Sequence, residues 1–585
     1  MSLAHPFTQK PPFFVKQISG ACTTKHKAKH IPQAASQQRL SFINDDIHIV
    51  HAKEVKNVRK VLVVKGRENA AEGLCMIDMI QRLGIEHHFE EEIESAIQNL
   101  MLQTHTFGAI DDQLQLRHVS LQFRLLRQQG CHVHADVFEQ FKDKKGRLKQ
   151  KFWGNIEGLI EVFEASHLSI EGENDVDQAG ELSHRLLSSW LSSALIHDQH
   201  EAKVVANTLK YPIHTSLSRF TPRSFLFPNS QLNMTWLRPL QKLSKLDTQI
   251  VNSVHLKEIY AVSKWWKDLG LAKDLKFGRD EPIKWYMWSM ACLTDPCFSE
   301  ERIEITKPLS LVYIIDDIFD VYASMDELSL FVDAVSRWDL AASEQLPHYM
   351  KACFRALQDI TNEFANKFQN KHGWNPRETL IKSWVRLCNA FMEEAKWLGS
   401  GKYPKAEEYL KNGIVSTGVH VALLHAFFLM GQGITKQNVD LMNDNDLPTI
   451  ISSTATILRL CDDLEGDKDD GNINQASKDG SYLKCYMKDH PQVSIEQAKE
   501  HIRHKISDAW KCLNKECLTQ SNPFPFSFTK LCLSAARMVP LMYSYDGYSP
   551  SRLEEHVKSL LCGDAIIQTQ SIPEPIMSCD KYHIA

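Results

Sequence analysis

No aspartate or glutamate precedes Asp45, although 72 acidic residues are spread through the 585 of the chain. An even spread would place about five there, and the stretch instead carries Lys10, Lys16, Lys25, Lys27, Lys29 and Arg39 among several hydroxyl residues. A basic, acid-free leader without an apolar core excludes a secretory signal and predicts an organelle transit peptide over residues 1–45. Cysteine occurs 14 times but never as a CxxC pair or with zinc-finger spacing, which favours reduced buried thiols over a disulfide framework. No charge sign dominates: the formal net charge is −5, so no nucleic-acid partner is expected. Glycine is sparse, 25 residues in all, and alternating runs bounded by turn pairs are scarce, which excludes a β-rich fold.

What is present is helical periodicity. From Ala71 to Leu100 the residues Leu74, Ile77, Ile80, Leu83 and Ile85 fall on one stripe. The segment Tyr211–Pro239 carries Pro212, Pro222, Pro228 and Pro239, which break helices, and a new helical set follows. The reading is therefore all-α with two helical domains: the leader over 1–45, an N-terminal domain over 46–240 and a C-terminal domain over 241–585. The charge-free stretch Gly413–Ile434 is long enough to raise a membrane span. It contains Ser416, Thr417, His420, His425 and Gln432, and it reads as a buried core helix. No membrane partner is expected.

The sharpest chemical signal is Asp316-Asp317-Ile318-Phe319-Asp320, at the end of an apolar run from Leu309 to Ile315. Asp316 and Asp320 share a helix face, where like charges repel by a few tenths of a kcal/mol, about 0.2–0.5. A hard divalent cation offsets that repulsion, because Mg²⁺ takes carboxylate oxygens and completes its shell with phosphate. A second acidic run, Asp462 to Asp470, follows the apolar-rich stretch Thr449–Leu460. Asp462, Gly466 and Asp470 are spaced four and four, and two acidic helix ends facing each other hold a metal cluster around a diphosphate. Asp467–Asp470 also spell DxDD, which overlaps the metal run and is read as coincidence. Arg279, Arg459 and Lys478 are the candidate diphosphate cations. Trp285, Tyr286, Trp288, Phe427 and Phe428 are candidate ring faces for a carbocation, or plain core.

These residues, in this order, resemble plant terpene synthases over nearly the whole chain after the leader. Asp316, Asp317 and Asp320 match the aspartate-rich DDxxD motif, and Asp462, Gly466 and Asp470 fall on the second metal motif. Ile77–Ile93, Val321–Asp339 and Tyr403–Asn412 are also similar to family segments. The resemblance implies an α-barrel-like N-terminal domain, a catalytic C-terminal bundle and three Mg²⁺ ions, with Mn²⁺ as a substitute. It implies Asp316, Asp317 and Asp320 as catalytic residues, with Asp316 and Asp320 holding metal on one wall and Asp462 and Asp470 on the other. It further implies Arg279, Arg459 and Lys478 at the diphosphate, Trp288 in the pocket, Asp546 and Tyr548 in a closing loop, and a helix break at Ser416-Thr417-Gly418.

The departures are informative. Position 466 is Gly where the family has a hydroxyl, and Asp470 replaces Glu. The family's RxR pair reads Arg279-Asp280-Glu281, and no Trp before Trp153 leaves the RR(x)₈W motif unmatched. Together with Phe277-Gly278-Arg279-Asp280 leading into Lys284-Trp285-Tyr286-Met287-Trp288, this is similar to the acyclic-product subfamily of linalool and nerolidol synthases. The expected reaction ionises geranyl or farnesyl diphosphate and quenches the cation with water. The rivals are a synthase of terpene hydrocarbons, a trans-prenyltransferase and a non-catalytic helical homologue. A monomer in the plastid is expected, with the cytoplasm as the alternative.

Overall fold

The computed structural model describes residues 33–102, 112–193, 199–221, 234–466, 481–543 and 555–561. Among them there is no strand, only one isolated antiparallel bridge between Lys142 and Leu148; the rest is helices and their connections. Residues Glu54–Ala585 group into one compact unit and residues up to Lys53 into another.

The predicted stripe is buried: Leu74, Ile77, Ile80, Leu83 and Ile85 all lie in an apolar core with Phe89 and Ile93. The pattern is carried by two helices rather than one. Asn69 caps the first, Ala70–Arg82, by accepting from the Ala71 and Glu72 N–H groups at 3.0 and 3.3 Å. Gly84 then turns the chain with φ +67°, and a second helix runs over Glu90–Leu102. Pro222 and Pro228 lie outside the described residues. The next long helix, α1 (Leu237–Leu269), joins the first core through Leu237, Leu240 and Leu243 and a different one through Trp266.

Seven of the described C-terminal helices position the cavity, all but α4 lining it: α2 (Pro282–Cys292), α3 (Ser299–Asp317), α4 (Arg377–Ser400), which packs on α5 and α6, α5 (Ala406–Ser416), α6 (Val419–Met430), α7 (Thr449–Gly466) and α8 (Phe526–Met542). A buried polar clamp fixes α2 from behind. Tyr286 Oη donates to Glu258 Oε2 at 2.5 Å, and Arg302 grips the same carboxylate through Nε and Nη2, both at 2.7 Å. Arg302 and Glu258 are almost wholly buried, so the pair fixes the register of α1, α2 and α3, and losing one partner would strand a charge.

The segment Ala406–Met430 is apolar and long enough to cross a membrane, yet it is two helices broken at Thr417–Gly418 and largely buried in the bundle. Its histidines are neutral core residues. His420 Nε2 lies 3.1 Å from the Ser383 carbonyl and His425 Nδ1 lies 2.7 Å from the Val421 carbonyl. Burial pushes His420 down to about 3, and His425 and His167 down to about 4. A histidine whose folded pKa is depressed contributes stability that is present above its unfolded value and lost as pH falls from there toward its folded value. Stability is therefore expected to fall from about pH 6.5 downward, by about 1.4 kcal/mol per pH unit for each histidine. Replacing His425 with leucine should remove one proton's share of that slope; an unchanged slope in urea titrations at pH 6.5 and 5 would contradict the assignment.

Candidate active site

The bundle cavity, of about 200 Å³, is polar at one end and apolar at the other. The gradient follows from where the lining residues sit along their helices. On α3 the order from the mouth inward is Asp316, Tyr313, Val312, Leu309 and Ile305, and on α7 it is Asp462, Arg459, Leu458 and Thr454. At 1.5 Å of rise per residue, Ile305 lies about 16 Å deeper than Asp316. Cys292 of α2, Leu423 and Ala426 of α6 and Leu531 and Ala535 of α8 complete the apolar part. Gly418 carries the break between α5 and α6 with φ +69°, and a Cβ there would stand 2.4 Å from Val312 Cγ1. Only glycine allows the break to sit this close to α3.

The mouth is built twice on one plan. On α3, Arg279 pairs with Asp316, while its Nε lies 2.7 Å from Asp317 Oδ1 and its backbone N–H donates to Asp317 Oδ2 at 2.7 Å. Its Nη2 also donates to the Tyr313 carbonyl at 3.1 Å, and the guanidinium lies 4.8 Å from the centre of the Tyr313 ring. On α7, Arg459 donates to Asp463 Oδ1 through Nε and Nη2 at 3.0 and 2.7 Å, and Nη2 stands 3.8 Å from Asp462 Oδ2. Asp463 also accepts from the Tyr409 hydroxyl at 3.2 Å and the Tyr482 N–H at 2.9 Å. In each pair the first aspartate lines the cavity and the second is buried beneath it, holding the arginine.

The cavity therefore brings together Arg279, Trp288, Asp316, Arg459 and Asp462. Asp317 is not part of the lining and holds Arg279 from beneath. Asp320 is exposed on a π-helical turn, Ile318–Tyr322, that ends α3. Asp470, Lys478, Asp546 and Tyr548 lie outside the described residues. Phe427 and Phe428 do not line the cavity: they pack in the core, where Phe427 is 6.0 and 5.1 Å from Phe524 and Phe528. Trp285 and Tyr286 are fully buried and do not line the cavity.

Four residues enter that the motif reading did not single out. Asp463 is the anchor of Arg459. Tyr313 and Tyr543 line the cavity, and burial with the neighbouring Asp462 carboxylate holds the Tyr543 hydroxyl well above its usual range. Glu394 on α4 accepts from Ser416 Oγ at 2.6 Å and lies close enough to Arg459 and Asp316 to feel both charges. Burial pushes the carboxyl groups of Asp316, Asp463 and Glu394 upward in spite of the two arginines. Carboxylates held in so little water gain from a further positive partner, and their oxygens suit a hard divalent cation.

An apolar pocket whose mouth presents paired acids and two arginines defines an enzyme that draws a diphosphate off a hydrocarbon with the help of metal. Comparison with known families agrees. The profile "Terpene synthase family, metal binding domain" matches residues 267–512 and "Terpene synthase, N-terminal domain" matches residues 24–209. The chain is 52% identical over 526 residues to neryl diphosphate diphosphatase, chloroplastic, of Glycine max, covering 89% of this chain and 96% of that protein. It is 48% identical to (E)-nerolidol synthase TPS18VF of Cannabis sativa (84% and 88% covered) and 41% identical to S-(+)-linalool synthase, chloroplastic, of Arabidopsis thaliana (94% and 95% covered). Among solved structures, isoprene synthase from grey poplar, in complex with three Mg²⁺ ions and dimethylallyl-S-thiolodiphosphate, superposes with a TM-score of 0.78 at 30% identity, over 91% of this chain and 98% of that one. The protein belongs to the terpene synthase family: it is a lyase that acts on prenyl diphosphates with a divalent metal.

Proposed function

We propose that this protein ionises geranyl or farnesyl diphosphate and quenches the allylic cation with water, releasing linalool or nerolidol. The observation that carries the acyclic outcome is the single cavity-lining arginine of the Arg279-Asp280-Glu281 segment. Asp280 is taken up by the Trp266 indole N–H at 2.7 Å, and Glu281 pairs at 3.4 Å with Lys284, both about half exposed. Position 281 thus adds no positive charge beside the leaving diphosphate, and a leaving group held less firmly, with water admitted, favours capture of the allylic cation over ring closure. The relatives named (E)-nerolidol synthase and S-(+)-linalool synthase support the same products.

In this reading Asp316 and Asp320 hold metal on one side and Asp462 and Asp470 on the other, with Glu394 close by. The metal, three Mg²⁺ ions with Mn²⁺ as substitute, supplies the charge that stabilises the departing diphosphate. Arg279, Arg459 and Lys478 bind its oxygens. Asp317 and Asp463 keep the two described arginines aimed at the mouth. Trp288 and Tyr313 offer ring faces to the allylic cation. The two threonine hydroxyls of the cavity wall are committed to backbone: Thr417 Oγ1 donates to the Ile414 carbonyl at 2.9 Å and Thr454 Oγ1 to the Ile450 carbonyl at 2.9 Å. The nucleophile is then a water at C3, whose proton passes to the diphosphate. Asp546 and Tyr548 belong to the segment that closes the mouth. Residues 46–240 form the supporting domain and 241–585 the catalytic one. A monomer in the plastid fits the leader over 1–45 and the relatives named chloroplastic.

The test is incubation of the leader-trimmed protein with Mg²⁺ and each diphosphate, followed by chiral gas chromatography with mass detection. Acyclic tertiary alcohols are expected. Cyclic hydrocarbons would overturn the proposed product while leaving the family untouched.

A further inference from the structure

The Arg279 loop and the aspartate-rich turn are joined at the surface by aromatic rings. Phe277, two residues before Arg279, stacks on Tyr322, two residues after Asp320, with ring centres 4.0 Å apart and planes 7° from parallel. Tyr349, on the helix His348–His372, meets both rings edge-on at 5.5 and 5.2 Å. Tyr322 is 58% exposed, so the stack is not explained by core burial. It sits at the end of the π-helical turn Ile318–Tyr322, a conformation that runs only for short stretches and depends on its surroundings to persist. The turn carries Asp320, and the loop carries Arg279.

We propose that the Phe277–Tyr322 stack is a positioning clamp that holds the π-helical turn, and with it Asp320, in register with Arg279. The clamp acts through its neighbours and touches no reacting atom. Offset or parallel ring stacking with an edge-on third ring fixes both separation and orientation, which a single aliphatic contact does not. Asp317 ties the same loop to α3 through the Arg279 N–H, so the loop is fastened at two points either side of Gly278. A Cβ at Gly278 would meet Ile314 Cδ1 at 3.3 Å, so the loop also lies close against α3. Groups that orient metal ligands typically cost ten- to a hundredfold in affinity when lost.

This inference rests on Asp320 being a metal ligand, and the experiment separates the two. Mn²⁺ is titrated into the full chain in the presence of inorganic pyrophosphate, with free Mn²⁺ counted by electron paramagnetic resonance. Tyr322→Ala is expected to weaken Mn²⁺ binding about tenfold, while Tyr322→Phe stays within about twofold of the parent. Tyr322→Leu, which fills space without a ring, is expected to match alanine and keeps the test open if the alanine form does not fold. Phe277→Ala should give the same weakening, and the double variant should add nothing to it. Parent-like Mn²⁺ binding by Tyr322→Leu, or additive losses in the double variant, would overturn the clamp when Asp320→Asn weakens binding. If Asp320→Asn itself leaves Mn²⁺ binding unchanged, the ligand assignment falls and the clamp with it.

Discussion

Alanine at Asp316 is expected to lower turnover by about a thousandfold or more while leaving the helical circular-dichroism spectrum unchanged. Asp316 is the carboxylate of α3 that lines the cavity, with its side chain 30% exposed, so its removal empties no core. Its loss also does not release Arg279, whose N–H and Nε remain on Asp317 at 2.7 Å each. What disappears is the negative charge that Arg279 balances in the structure and that, on the proposed assignment, metal would balance with substrate bound. On that assignment the metal would lose a ligand, and the developing charge on the diphosphate its main stabilisation. Asp316→Asn, which keeps shape and loses charge, should fare nearly as badly. Asp320→Ala should follow the same course. Gas-chromatographic product rates at saturating Mg²⁺ decide the matter: turnover within tenfold of the parent would mean that the α3 carboxylates are not the metal wall.

Much of this arrangement was legible in the residues, and the part that was not has a physical reason. The helical class followed from scarce glycine and the 3.6-residue stripe, because burial along one face leaves that period in any amphipathic helix. The break at Gly84 did not, since apolar residues resume in phase on the far side. Asp316 stood out as charge at the end of an apolar run. Asp317 was grouped with it, yet adjacent helical residues point about 100° apart, so a residue beside Asp316 could not share its face. The same geometry separates Asp462 from Asp463. Glu394 carried no signal: it sits among other charged residues of α4, and only the fold brings it to Ser416 and Arg459. For Phe427 and Phe428 ring face and plain core stay open in the sequence, because a charge-free helix has no polar side to show which residues face the cavity. In the structure Ala422, Leu423 and Ala426 take that position.

Asp463 supplies the second large effect, and it divides stability from catalysis. Its carboxylate is almost wholly buried and accepts from Arg459 Nε and Nη2, the Tyr409 hydroxyl and the Tyr482 backbone N–H. The last of these contacts joins the residues on either side of the segment 467–480, which carries Asp470 and Lys478. Asp463→Ala leaves the half-buried Arg459 guanidinium with only the longer Asp462 contact at 3.8 Å and strands a phenol and an amide, a combination expected to destabilise the fold by about 3–5 kcal/mol and visibly lower the thermal midpoint. Asp463→Asn retains an acceptor without the charge and should lose about 1–3 kcal/mol. Replacing both partners, as Asp463→Ala with Arg459→Met, removes the stranded charge, so most of the stability should return. Activity should not return, because the cavity then lacks the arginine that Asp463 held at its mouth. An Asp463→Ala protein with the parent's melting midpoint would show that the anchor is dispensable. A double variant that melted like the parent and still turned over would show that Arg459 matters only as the partner of Asp463, leaving Arg279 to hold the diphosphate alone among the described cavity-lining residues.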